Sequence, residues 1–330
     1  MKTMKITITE GSTYEFDTDQ YGFPTFTEKN REFLNGILKY DSNYSTSSDK
    51  ASPEYKSSYA GILEKAGFFD FAKTDPPAKN DELIVDDLYR VIVSIDKINS
   101  THLSSEGKEK SDDAKAAEGD NGKKEKRNKG RIKVANFIRT KYGGEELKKA
   151  LEEADADIVK GIADPKIGGK HNFSFATKFC SYVSLHALEK KYKDNYCIYD
   201  EILQSVLPYY AYMYADITSF CGQQLYKSIG YRKRKSEAED YGELYVTVKN
   251  NGKEDKYRNE SLVHEFKENE NYGGYRELIK KIREGIKNKL GIDVTFEDFD
   301  HLVWYCFKGS KTKIQMAMNK LPKIETKKTT

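Results

Sequence analysis

Residues 171–183 read HNFSFATKFCSYV, and the reading of this stretch decides the fold. Phe175, Phe179 and Val183, with His186 beyond them, recur at helical spacing and make an apolar stripe. Asn172 or Ser174 stands where a helix cap is expected. A helix this apolar belongs in a core, so the chain is expected to be mainly α. Lys178 breaks the pattern. It sits beside the stripe within about two turns of the helix start, where the positive end of the helix dipole opposes a cation. Desolvation would add to that effect, and both favour the neutral amine that a nucleophilic lysine needs.

Downstream, DNYCIYDEILQSVLPYY places Asp200 after an extended apolar run, Cys197 to Tyr199, at the expected start of the next helix. As an N-cap, Asp200 would accept from backbone amides that otherwise lack partners. An aspartate facing a cleft beside a lysine would also stabilise positive charge developing on a sugar.

Helical signals extend in both directions. Thr27 can cap a helix carrying Phe33, Ile37 and Leu38, and Ser52 followed by Pro53 is a helix start with proline at the first position. Leu83, Leu88, Val91, Ile92 and Ile95 follow close to helical period. Gly291 ends one late helix and Thr295 begins another, with Glu297 and Asp298 in its first turn. Residues 4–16, MKITITEGSTYEF, read as a small β element around a Gly-Ser turn, and residues 241–250 read as a further strand. Between 99 and 130 almost nothing apolar except Leu103 is available for burial, so this stretch is expected to be a flexible charged insertion. Four regions result: 1–98, a β hairpin with helices; the insertion 99–130; a helical domain over 131–321; and a disordered tail, 322–330.

The chain has 330 residues, 37% hydrophobic and 33% charged, with 24 Tyr and 16 Phe to supply large apolar surfaces. Its 56 basic and 53 acidic residues leave a formal charge of +3, so any basic surface must come from local clustering. YRKRK, with Arg232, Lys233 and Arg234, is one such cluster. The four cysteines are scattered, with no metal-ligand spacing, so neither a metal nor another cofactor is expected and the thiols read as reduced and buried. No apolar run approaches the roughly 20 residues that span a bilayer. The chain begins without a signal-peptide pattern, so a cytoplasmic protein is expected.

Taken together, IGGKHNFSFATKFCSYV and YCIYDEILQSVL resemble the helix-hairpin-helix DNA glycosylases, the 8-oxoguanine type in particular: a glycine-containing hairpin, a helix with lysine in its first turns, then an aspartate opening a helix about twenty residues later. The resemblance covers about residues 165–210. It implies a multi-helix glycosylase-like domain acting on double-stranded DNA, with Lys178 attacking the sugar as the base leaves and Asp200 assisting, with or without strand cleavage. The family's hairpin carries glycines just before the second helix, letting backbone amides reach a phosphate. Here Gly168 and Gly169 come earlier, so Lys170, His171 and Asn172 would take over DNA contact by side chain. Tyr209, Tyr210 and Tyr212 would line a pocket for a flipped base.

Plainer readings stand beside these. Lys178 can be a snorkelling lysine on an amphipathic helix, Asp200 a simple cap, and the tyrosines core residues. The alternative function is accordingly a catalytically inactive module that binds DNA or reads a modified base, as in antiviral defence.

Overall fold

The structure is a computed structural model of the chain, and it describes residues 2–9, 12–18, 25–38, 50–75, 84–99, 103, 120–168, 172–217, 219–220, 223–233, 242–250, 253–258, 266 and 271–308. These residues are mostly helical. The chain divides into two compact units: residues 50–199 form one, and residues 1–49 with 200–330 form the other.

The 50–199 unit is built from α2 (Pro53–Ser57), α3 (Tyr59–Leu63), α4 (Asp87–Asn99), α5 (Asp120–Lys141), α6 (Gly143–Glu152), α7 (Ala156–Ala163), α8 (Pro165–Gly168) and α9 (Phe173–Ala187). Ser52 caps α2 as its sequence suggests, its hydroxyl accepting from the Tyr55 amide at 3.0 Å. This helix stops after five residues, because Ser58 turns extended and caps α3 by accepting from the Gly61 amide. Likewise α6 and α7 are separate: Ala154 adopts a left-handed φ of 56°, and Asp155 restarts the chain by accepting from the Asp157 amide. Of the expected stripe, Leu88, Val91, Ile92 and Ile95 are buried on α4, while Leu83 lies outside the described residues.

Helix α5 reaches back to Asp120, into the stretch expected to be flexible. Its later half buries Ile132, Val134, Ala135 and Ile138. Once that half is packed, extending it through lysine, glutamate and arginine needs no new nucleus, and these residues are good helix formers. Two ion pairs hold α5 in place. The Arg131 Nε and Nη2 both donate to Asp96 Oδ2, at 2.8 and 2.6 Å, while Asp96 Oδ1 accepts from the Leu103 amide. Arg139 pairs with Asp86 at 2.6 Å. Leu103, the one large apolar residue of the insertion, is wholly buried beside this anchor. Residues 104–119 lie outside the described residues.

The other unit contains α1 (Glu28–Leu38), α10 (Glu201–Ala215), α11 (Tyr272–Leu290) and α12 (Phe296–Lys308). Its core gathers Phe26, Tyr210 and Phe299, with ring centroids 5.3–6.0 Å apart. Thr27 caps α1 through the Asn30 amide, and Gly291 ends α11 with φ of 73°. Thr295 and Asp298 make a reciprocal capping box at the start of α12, each side chain accepting from the other's amide at 3.0 Å. The same unit's backbone traces an antiparallel pair, β1 (Lys2–Thr9) with β2 (Ser12–Thr18), and an antiparallel ladder of β3 (Ser219–Phe220), β4 (Gln223–Lys233), β5 (Gly242–Asn250) and β6 (Lys253–Arg258) in that order.

Candidate active site

Lys178 lies on α9, the helix that packs against α3, α4, α6 and α7 within its unit. Phe173, Phe175, Ala176, Phe179, Cys180 and Val183 are 0–1% exposed, so the helix is buried nearly all round. Lys178 itself is only 6% exposed, which sets aside an open surface lysine. Such a helix tolerates a long amine only where the polar head has an accommodated place.

Asn172 occupies the N-cap position of α9, and its amide donates to the Ala163 carbonyl at 3.2 Å. Its side chain makes no capping bond, and its Nδ2 is buried with no hydrogen-bond partner. The expected cap is therefore in place by position but not by side-chain bonding. Lys170 and His171 lie outside the described residues.

The extended run before Asp200 is fixed from α9. Thr177 Oγ1, fully buried, accepts from the Tyr199 amide at 3.0 Å, and the Tyr199 ring meets Phe173 edge-on at 4.9 Å. Tyr196, also in this run, donates from its hydroxyl to the Asp155 carbonyl at 2.9 Å. The neighbour of Lys178 in the chain is thus bonded to the neighbour of Asp200. Sequence spacing alone gave no hint of this threonine, because its partner lies far along the chain.

Asp200 belongs to the other unit. It is 6% exposed, and its Oδ1 accepts from the Leu203 amide at 2.9 Å, the N-cap bond expected of it at the start of α10. Tyr210 is wholly buried in the aromatic core and stacks on Tyr214 at 6.2 Å, so packing accounts for it, while Tyr212 is half-buried. The side chains of Tyr209, Arg232 and Lys233 fall outside what is described, as does Arg234 altogether. In this unit a cleft bordered by Phe26, Arg31, Asp298 and His301 encloses about 20 Å³, room for roughly one water and not for a nucleobase.

A second cluster in the 50–199 unit went unread in the sequence. His186, on α9, is buried with neither ring nitrogen hydrogen-bonded, its Nδ1 lying 3.7 Å from Glu64 Oε1 and its ring edge-on to Tyr59. Burial pushes the His186 imidazole below its ordinary range, against the opposing pull of Glu64. Burial works to raise the Glu64 carboxyl, but His186, Lys50 and Tyr55 outweigh it and hold the group at about 2. Cys180 is driven well up by burial, which keeps it a thiol.

Among the described residues no group of three His, Cys, Asp or Glu side chains gathers as a metal site, and no helix is long and apolar enough to cross a membrane. No protein-family model matches the chain, and no curated protein or solved structure matches it.

Proposed function

We propose that this protein is a DNA glycosylase that removes a damaged or modified base, with Lys178 as nucleophile and Asp200 as its acidic partner. The observation that carries the reading is the burial of Lys178 on an otherwise apolar helix. The bond from the Tyr199 amide to Thr177 fixes the backbone beside Lys178 within its own unit. In this chemistry the neutral lysine amine donates its lone pair to C1′. The bond from C1′ to the base breaks, and its electron pair leaves with the base, which takes up a proton. Loss of the amine proton and opening of the sugar then give a Schiff base, and elimination of the 3′ phosphate would cleave the strand. Asp200 offers negative charge to the cationic sugar as it develops.

Borohydride trapping tests this on duplexes bearing an abasic site or one of a panel of modified bases. A covalent adduct formed by the native protein and lost in Lys178→Ala, with the variant still melting cooperatively, is the expected result. A native protein that forms no adduct and releases no base overturns it.

A second reading is a catalytically inactive DNA-binding module. What favours it is the cap bond from the Leu203 amide to Asp200, which gives that carboxylate a structural role needing no chemistry. Salt-sensitive duplex binding without base release would be its signature.

A further inference from the structure

We propose that His186 and Glu64 form an acid-operated latch on α2: when the imidazole takes up a proton, Glu64 closes on it and releases Lys50. The inference goes beyond the glycosylase reading and does not depend on it. Glu64 joins the inside of the 50–199 unit to its surface. Its Oε1 lies 3.7 Å from His186 Nδ1, just beyond hydrogen-bond reach, and its Oε2 is 3.0 Å from Lys50 Nζ. The His186 side chain is fully buried, whereas that of Lys50 is 49% exposed. Lys50 opens the unit two residues ahead of Ser52, the cap of α2, and its ammonium stands over the Tyr55 ring at 5.7 Å. Glu64 is the C-cap of α3, so the Lys50–Glu64 pair pins the entry of α2 to the end of α3.

A buried imidazole with neither ring nitrogen hydrogen-bonded to the protein costs more than an apolar side chain filling the same space. What histidine adds is a proton that can be taken up between about pH 5 and 8. The groups around it decide what that proton does. The helix α3 and its cap present Tyr59 and Glu64; the entry to α2 presents Lys50, with Tyr55 acting on the same carboxylate. Lys193, which follows the short 3-10 turn Lys190–Tyr192, adds a second cation. With the imidazole neutral, one carboxylate faces these two ammonium groups. Proton uptake adds a third cation. His186 has no route to water, and a buried charge demands a partner, so Nδ1–H donates to Glu64 Oε1 and the gap between them closes. Lys50 is half in water already and gives up a partly exposed pair at little cost. Burial lowers the imidazole below its ordinary value, which sets the response on the acid side of 6.5.

Hydrogen exchange of the full chain tests the latch at about pH 7.5 and about pH 5, with rates corrected for the intrinsic effect of pH. The amides of Tyr55, Lys56 and Ser58, each hydrogen-bonded in or beside α2, are compared with those of Val91, Ile92 and Ile95 in the buried stripe of α4. In the native protein the α2 amides are expected to lose at least about threefold in protection at the lower pH while the α4 amides hold. His186→Gln stays neutral and should show no such loss. Lys50→Met leaves His186 in place and should make the α2 amides equally open at both pH values. Native α2 amides that do not respond, or α4 amides that open in step with them, overturn the inference. So does a His186→Gln variant that keeps the native response, or a Lys50→Met variant as protected as the native protein at the higher pH. If His186→Gln fails to fold, the native and Lys50→Met measurements still decide the matter.

Discussion

His186 shows how one residue can set a pH response without belonging to the proposed chemistry. Its ordinary value is 6.5, and burial lowers it in the folded protein. The unfolded chain therefore takes up a proton first as pH falls, and the stability tied to a neutral imidazole is present above 6.5 and declines below it. Glu64 acts in the same direction but later: held at about 2 against an ordinary 4.5, it contributes above 4.5 and loses its contribution between the two values. Lys50 and Lys193 both oppose a charged His186, while Glu64 favours one. Urea midpoints followed downward from neutral pH should fall first below 6.5 and again below 4.5. His186→Phe should remove the first decline and leave the second. Parallel curves for the two proteins would count against this assignment. Lys178 was legible as an oddity because one cation interrupts an apolar repeat, and Asp200 because it stands where a helix must begin. Neither Glu64 with His186 nor Thr177 with Tyr199 was legible, since each pair joins positions that only the folded chain brings near.

Helices were readable where apolar residues recur at their period and a capping residue precedes them, as at Ser52, Thr27 and Thr295. Breaks were harder. Ser58 and Asp155 interrupt runs whose polarity pattern continues smoothly, because a local side-chain bond to the backbone competes with the helix at those points. The early part of α5 was hidden for the opposite reason: it has nothing to bury, and its order comes from the packed half that follows. Close packing of α10 and α11 adds a constraint that composition does not show. Gly285 faces the backbone of Tyr214 so closely that a Cβ there would stand 1.8 Å from the carbonyl oxygen. Gly285→Ala should force the helices apart and cost about 3 kcal/mol or more. Gly273→Ala, on the same helix with open space around it, should leave the thermal midpoint unchanged or slightly raised. Similar midpoints for the two variants would refute the close contact.

At the scale of the molecule, mainly α structure follows from the helical periods, while the division into two units does not, because the Ser-rich stretch 41–53 at the first boundary has no counterpart at 199–200, where the second falls. The division has a measurable sign. The single tryptophan, Trp304, lies in the unit that contains α12, whereas much of the helix lies in residues 50–199. Urea unfolding followed by tryptophan fluorescence and by far-ultraviolet circular dichroism should therefore give transitions that do not coincide. Superimposable curves would show that the two units melt as one. The order of the units along the chain has a further consequence for how the protein is made. Residues 50–199 are complete as a unit before the remainder of the other unit has been synthesised, so on the ribosome the inserted unit can close first. The first 49 residues must then wait, without their core partners Tyr210 and Phe299, until the chain beyond Asp200 emerges. Phe26 is one large apolar side chain left without its partners during that interval, and a chaperone that shields nascent apolar segments would find a client there.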